Sequence, residues 1–218
     1  MSRLLLLGHR GARAVKSIPE NTVASFDRAL ADGCDGFEFD VRLTSDGTAI
    51  VCHDSQIDEV EIACASAERL PRLPKLEDVL VRYAGSAFLD IELKVPGLEK
   101  VVAALLRKYA PQRGHVVTSF MPEVLRAMRD YDSGIPLGLI CEKRSELRLW
   151  PQLLIEYVIP HYRLVSPELV QGIKDAGKRI LVWTANSVVE MQRLRKLGVD
   201  GIISDKTDLL CRTLADSR

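Results

Sequence analysis

The sequence has no excess of charge of either sign: its 218 residues carry 30 Lys and Arg against 30 Asp and Glu. A broad positive field able to hold nucleic acid or an anionic membrane through many phosphate contacts is thereby excluded, and no nucleic-acid partner is expected. Any anionic ligand must be met locally. Long apolar runs are missing too. No stretch approaches the roughly 18–20 apolar residues that span a bilayer, so stable membrane insertion is not expected. Met1-Ser2-Arg3 and the four leucines that follow faintly imitate a signal peptide, but the run is short and meets Gly8-His9-Arg10 without a cleavage site. It reads instead as a buried strand. Cysteine is scattered: Cys34, Cys52, Cys64, Cys141 and Cys211 are odd in number and form no CxxC spacing, against a disulfide framework, a thiolate zinc site or a redox pair. A reducing cytoplasm fits that usage. No linker, repeat or low-complexity segment interrupts the chain, so one domain over residues 1–218 is expected, and 47% hydrophobic with 28% charged residues is the make-up of a globular protein with a real core.

What is present is alternation. Eight short apolar runs, Leu4–Gly8, Gly36–Arg42, Ala87–Leu93, His115–Ser119, Pro136–Cys141, Tyr157–Ile159, Arg179–Trp183 and Gly201–Ser204, read as strands covered on both faces. Amphipathic helical patterns lie between them. The first has Asn21 as its expected N-cap and Val23, Phe26, Ala29 and Leu30 at helical spacing before Gly33. Others cover Gly97–Tyr109, Pro122–Arg129, Pro167–Ala176 and Val188–Leu197, and a less regular one is placed within Glu142–Glu156. Repeated βα units in this order predict an α/β fold, a single closed (β/α)8 TIM barrel near the small end of the usual range of about 200–400 residues. After the second strand, residues 44–74 are expected to form a small insertion. Thr44–Asp54 reads as a hairpin turning at Ser45-Asp46-Gly47 and returning over Ala49–His53, and Ser55–Pro74 as an irregular, reduced cap.

In such a barrel the reactive groups belong at strand C-termini. The first strand ends in His9-Arg10-Gly11, a basic pair and a glycine suited to meeting an anion. Glu38 and Asp40, two positions apart, point to one side of the second strand, inward near the mouth. On their own they could be neutralised as ion pairs by Arg10 and Arg42. The third strand adds Glu92 and Lys94 on one face, with Asp90 one step deeper. Three carboxylates without a cysteine suit one hard divalent cation, Mg2+ or Ca2+, better than zinc. Lys94 and Arg10 can offset the remaining negative charge while contacting phosphate. His53, at the end of the hairpin, supplies a second imidazole, and with His9 it makes an acid–base pair suited to neutral pH.

With these residues assembled, the sequence resembles the glycerophosphodiester phosphodiesterase family. The resemblance is carried by Gly8-His9-Arg10-Gly11, Pro19-Glu20-Asn21-Thr22, Glu38-Phe39-Asp40, Thr44-Ser45-Asp46-Gly47, His53-Asp54 and Asp90-Ile91-Glu92-Leu93-Lys94. Later matches are Val182-Trp183-Thr184-Ala185-Asn186 and Gly198-Val199-Asp200-Gly201-Ile202-Ile203-Ser204-Asp205, so it spans nearly the whole chain. The resemblance implies a metal ligated by Glu38, Asp40 and Glu92, catalysis by His9 and His53, phosphate held by Arg10 and Lys94, and Glu20 and Asn21 bracing the first loop. Trp183 either lines the mouth against the alcohol or is a core aromatic capping the barrel. The implied reaction yields an alcohol and sn-glycerol 3-phosphate from a small-molecule glycerophosphodiester. One histidine would take the proton of the attacking hydroxyl and the other, His53, would protonate the departing alcohol. The sequence departs from the family in Ser55–Leu73, which lacks an Arg-Thr-Thr element and an aromatic-rich segment, so the site is expected to be open and head-group preference stays unassigned. It also has Lys206-Thr207-Asp208 where a proline is usual after the eighth strand.

Two other readings stand beside this one. A phospholipase D of the sphingomyelinase type, acting on a phospholipid or lysophospholipid head group, has a similar metal and histidine arrangement, but such enzymes are secreted and disulfide-bonded. A non-catalytic binding barrel would not need every reactive side chain, and all are present. His115, His161, Tyr162 and Trp150 fall outside the matching motifs and are expected to be packing or surface groups. Oligomeric state is not readable.

Overall fold

The computed structural model describes residues 3–214; residues 1, 2 and 215–218, which the expected domain limits of 1–218 include, lie outside the described residues. Eight parallel strands close into a barrel in the order β1 (Leu5–Gly8), β2 (Gly36–Leu43), β6 (Phe88–Leu93), β7 (His115–Ser119), β8 (Leu137–Cys141), β9 (Tyr157–Pro160), β10 (Arg179–Val182) and β11 (Gly201–Ser204). Closure comes from β1, which pairs Leu5↔Gly201 on one side and Leu7↔Gly36 on the other. All eight strands lie within one residue of the limits expected from the apolar runs. No helix among the described residues is long and apolar enough to cross a membrane.

Strand β2 shows why the runs read as doubly buried. Phe37, Phe39 and Val41 face the helical layer, where Phe37 stacks on Phe26 with ring centroids 4.2 Å apart. Glu38 and Asp40 take the alternate positions and face into the barrel. The barrel interior is a separate, smaller cluster of Leu7, Phe88, Val116, Ile140, Tyr157, Ile159, Leu181 and Ile203. Apolar side chains thus fill the lower barrel, and the charged ones are left to the mouth.

The outer layer holds α1 (Val23–Ala31), α2 (Leu76–Tyr83), α3 (Glu99–Lys108), α4 (Pro122–Tyr131), α5 (Arg144–Leu147), α6 (Pro167–Asp175), α7 (Val188–Leu197) and α8 (Thr207–Leu214). Two sequence expectations need correction. Asn21 is not the N-cap of α1: Thr22 is, its Oγ1 accepting from Ser25 N at 3.2 Å. Asn21 is drawn the other way, into the barrel mouth, with φ +58 and its amide bonded to Asp40. The helix expected within Glu142–Glu156 is a single turn, α5, followed by a 3-10 turn at Trp150–Gln152. Pro151 has no N–H to continue an α-helix and its ring clashes with the preceding turn. Helix α2 was not singled out in the sequence, although Leu76, Val79, Leu80 and Tyr83 are all buried at helical spacing.

The insertion after β2 begins as the expected hairpin. β3 (Ala49–Val51) returns antiparallel with Leu43↔Ala49 in register, across a turn where Thr44 N donates to Thr48 O at 3.0 Å. The returning strand stops at Val51, two residues short of His53, and Arg42 Nε then holds His53 O at 2.8 Å. Arg42 is thereby committed to the hairpin and does not neutralise the carboxylates. The rest of the cap is a two-stranded ribbon, β4 (Gln56–Ile57) and β5 (Val60–Glu61), with two 3-10 turns over its own small core of Ile50, Cys52, Ile62, Ala65, Ala67 and Leu70.

Candidate active site

His9 and Arg10 leave the C-terminal end of β1 in a strained loop. Arg10 (φ +50) and Asn21 (φ +58) are non-glycine residues in the left-handed region, a conformation that costs about 1–3 kcal/mol each and concentrates at functional sites. Gly11 between them has φ +80, and a Cβ there would lie 2.4 Å from Ser25 Oγ. The loop crosses the start of α1 so closely that only glycine fits. What holds the strained turn is visible in its bonds: Arg10 N donates to Glu38 Oε2 at 2.9 Å, and Asn21 N donates to Arg10 O at 3.1 Å.

Strands β2 and β6 run in register with Glu38↔Asp90 and Asp40↔Glu92, so four carboxylates face inward in two layers. Glu38, Asp40 and Glu92 are buried, and one ligand oxygen from each lies within 4.8 Å of the others. Two cations stand against them. Lys94 Nζ lies 2.6 Å from Glu92 Oε1 and 3.3 Å from Asp40 Oδ1, and Arg10 Nε lies 3.2 Å from Asp40 Oδ2. Asn21 Nδ2 donates to the same Asp40 Oδ2 at 2.8 Å. Glu20 stands behind, binding Arg10 Nη1 at 2.6 Å and Arg13 Nε at 2.7 Å.

The electrostatic balance is uneven, because four acids face two bases. Burial works against the Asp40 carboxylate, but Lys94, Arg10 and Asn21 outweigh it and hold its pKa below the ordinary value. Burial, Asp40, Glu92 and Asp90 push Glu38 well above the usual carboxylate range. Glu92 is raised to about 7, by burial and Asp40 against the pull of Lys94. Asp90 is also raised to about 7 by burial, although Thr118 donates to its Oδ1 at 2.7 Å. Glu38 Oε1 is buried without a hydrogen-bond partner, and Asp40 Oδ1 is buried with only the Lys94 ammonium, 3.3 Å away, against it. Buried carboxylate oxygens in that condition are costly unless something positive meets them. The donor set, all hard oxygen, fits a divalent cation of the Mg2+ or Ca2+ type.

Both histidines are tethered in the same way. His9 Nδ1 lies 2.6 Å from Asp205 Oδ1, and His53 Nδ1 lies 2.7 Å from Asp54 Oδ1. A carboxylate can only accept, so each pair fixes the proton on Nδ1 and leaves Nε2 toward the cavity in the neutral ring. Burial opposes the Asp205 anion, but the His9 hydrogen bond prevails and brings its pKa down to about 2. Asn186 Nδ2 adds a bond to Asp205 Oδ2 at 2.6 Å. The His9 side chain is 12% exposed and that of His53 34%, so His9 sits deeper and His53 nearer the rim.

One cavity gathers most of the expected residues. It is lined by His9, Arg10, Glu38, His53, Glu92, Lys94 and Trp183 from the expected set, with Asp90 below them. Asp40, Glu20 and Asn21 stand behind its wall. The opposite wall is apolar, formed by Phe120, Ile140, Ile159, Ile203 and Trp183. Trp183 is half-buried at the cavity mouth. Its ring lines the mouth and meets Phe120 edge-on at 5.6 Å, while its Nε1 donates to Ile159 O at 3.1 Å and packs it on the barrel. His161 packs edge-on against Trp183 at 5.2 Å without lining the cavity. None of residues 55–74 lines it either. Sequence reasoning gave no individual place to Asp54, Phe120 or Asp205. Asp54 and Asp205 were in view as the last residues of two matching motifs, whereas Phe120 follows β7 and carried no motif at all.

Comparisons with known proteins show the family of the chain. A family model described as the glycerophosphoryl diester phosphodiesterase family matches residues 9–104 and 86–209. A glycerophosphodiester phosphodiesterase of Caldanaerobacter subterraneus subsp. tengcongensis is 30% identical over 236 residues, covering 95% of this chain and 96% of that one. Two solved structures share the fold. A glycerophosphodiester phosphodiesterase of Thermotoga maritima has a TM-score of 0.84 at 23% identity, over 97% of this chain and 99% of that chain. A phosphodiesterase of Oleispira antarctica, in complex with the product sn-glycerol-3-phosphate, has a TM-score of 0.85 at 23% identity, over 97% and 96%. With the family model covering both halves of the barrel and the sequence matched end to end, the chain belongs to the glycerophosphoryl diester phosphodiesterase family.

Proposed function

We propose that this protein hydrolyses glycerophosphodiesters to an alcohol and sn-glycerol 3-phosphate, with one divalent cation, Mg2+ or Ca2+, held by Glu38, Asp40 and Glu92. The observation that carries this reading is a three-carboxylate cluster and two carboxylate-tethered histidines on one cavity of a family barrel. When bound, the cation would act as a Lewis acid on the phosphate oxygens, withdrawing charge as the pentavalent transition state develops. Arg10 and Lys94, already at the cavity wall, bind and orient the non-bridging oxygens. The apolar wall of Phe120 and Trp183 receives the carbon skeleton and keeps water from that side.

In the proposed reaction His9 Nε2 takes the proton of the attacking hydroxyl as its oxygen bonds to phosphorus. The bond from phosphorus to the leaving alcohol breaks, and His53, nearer the rim, delivers a proton to that alcohol. Glu20 and Asn21 position the loop that carries Arg10. The attacking hydroxyl belongs either to the neighbouring carbon of the glycerol, giving a cyclic phosphate that water then opens, or to water itself. A cyclic species seen in a single turnover selects the first route, and its absence counts against it. Scattered cysteines, with no disulfide among the described residues, support a reducing, cytoplasmic setting.

A coupled glycerol 3-phosphate assay on several glycerophosphodiesters tests the reading. Activity is expected to vanish with a chelator and to return when Mg2+ or Ca2+ is restored singly. Choline release from sphingomyelin, with no glycerol 3-phosphate from glycerophosphocholine, would replace it with the phospholipase D reading.

A further inference from the structure

Arg13 lies outside the matching motifs and off the cavity wall, yet its guanidinium stands between two loops of the site. Its Nε lies 2.7 Å from Glu20 Oε2, and its Nη1 lies 3.4 Å from Asp205 Oδ1. Each of those carboxylates already holds one residue of the proposed reaction. Glu20 Oε1 takes Arg10 Nη1 at 2.6 Å, and Asp205 Oδ1 takes His9 Nδ1 at 2.6 Å. A continuous chain of charges, running His9, Asp205, Arg13, Glu20, Arg10 and Asp40, therefore joins the base to the phosphate-binding guanidinium and on to the carboxylate cluster.

An exposed ion pair by itself is worth little unless it belongs to a network, and the Arg13 side chain is 43% exposed. Here the backbone on either side is pinned. Ala12 N donates to Ser25 O at 3.1 Å, in α1, and Ala14 N donates to Asp205 O at 3.0 Å, just past β11. The guanidinium is thus delivered to the gap between the two loops with less entropy left to lose than a free surface arginine has. Its planar fork can donate in two directions at once, a geometry that a lysine ammonium does not reproduce. Asn186 Nδ2 occupies Asp205 Oδ2 at 2.6 Å, so Oδ1, with its two lone pairs, is the oxygen that His9 and Arg13 share. Without Arg13 both carboxylates lose a donor, and Glu20, already 36% exposed, is free to turn toward water.

We infer, resting on the proposed reaction, that Arg13 is a positioning residue that holds Glu20 and Asp205 so that Arg10 faces the phosphate and His9 keeps its proton on Nδ1. It touches neither substrate nor cation. Its effect on turnover therefore passes through His9, and its effect on substrate affinity through Arg10.

Steady-state kinetics of the cation-loaded enzyme on glycerophosphocholine tests this. Arg13→Ala should lower kcat and raise KM, each by roughly three- to tenfold, while cation affinity and Tm stay near those of the unaltered protein. In an Asp205→Asn background the same substitution should still raise KM but lose its effect on kcat, and in a Glu20→Gln background the reverse. A merely structural role would lower activity alike in every background. Apart from turnover, the His9 Nδ1 proton, assigned in NMR spectra by its loss in His9→Gln, should exchange faster with water in Arg13→Ala. Unaltered kinetic constants in Arg13→Ala, effects repeated undiminished in both backgrounds, or an Nδ1 proton that exchanges at its former rate would each overturn the inference. An unaltered enzyme that releases no glycerol 3-phosphate would instead overturn the proposed reaction, and proton exchange would still decide whether Arg13 holds the His9 tether.

Discussion

In the proposed reaction His9 serves as a base only with its proton on Nδ1, and Asp205, 2.6 Å away and fully ionised, keeps it there. Replacing Asp205 with Asn should leave cation binding intact, because Asp205 stands outside the carboxylate cluster, yet forfeit much of the ~10^2–10^4-fold contribution of a general base. Steady-state turnover beside a calorimetric cation titration separates the two effects. His53→Ala should lose the same order of turnover with its melting temperature nearly kept, since that side chain is partly exposed and touches mainly Asp54. Unchanged turnover in either variant would remove the role. The reactive side chains were legible in the sequence because each closes an apolar run, and inward direction follows from strand periodicity alone. The tethers were not, because Asp205 and His9 are 196 positions apart and only barrel closure makes them neighbours.

At the scale of elements, the start of α1 separates two jobs that the sequence assigned to one residue. Thr22→Ala removes the cap and should destabilise the protein by about 1 kcal/mol, lowering Tm by about 2–4 °C for a chain of this size. Asn21→Ala should leave that cap standing but free Asp40 of its hydrogen bond, so its effect should appear in cation affinity. Thermal melts with and without cation distinguish the pair, and equal effects of both substitutions would contradict this division. Pattern reading failed here for a physical reason. Asn is both a good cap and tolerant of the left-handed region, so composition alone does not choose between them. Strands were easier to place than helices, since burial on both faces leaves an unbroken apolar run. Helix α2 sits just beyond the irregular cap and escaped notice, and α5 is cut short by Pro151.

For the molecule as a whole, a barrel mouth holding four inward acids against two cations makes stability depend on pH and on bound cation. Asp90 and Glu92 are near 7 in the folded chain and near 4 in an unfolded one, so folding takes up protons there. Their contribution is therefore full below about pH 4 and lost as pH rises through about 7. Cation-free protein should melt at falling temperature between pH 5 and 8, to an extent that Mg2+ or Ca2+ reduces by meeting the carboxylates. A cation-free Tm that rises over this window would contradict the electrostatic picture. The closed barrel itself follows from the order of eight apolar runs, whereas the cap builds a small core of its own and adds no residue to the cavity wall.

The most direct test is anomalous diffraction from crystals grown with Mn2+ in place of the hard cation. One strong peak bounded by carboxylate oxygens of Glu38, Asp40 and Glu92 is the expected result. No peak in the barrel mouth, or one held by other residues while those three carboxylates face apart, would contradict it.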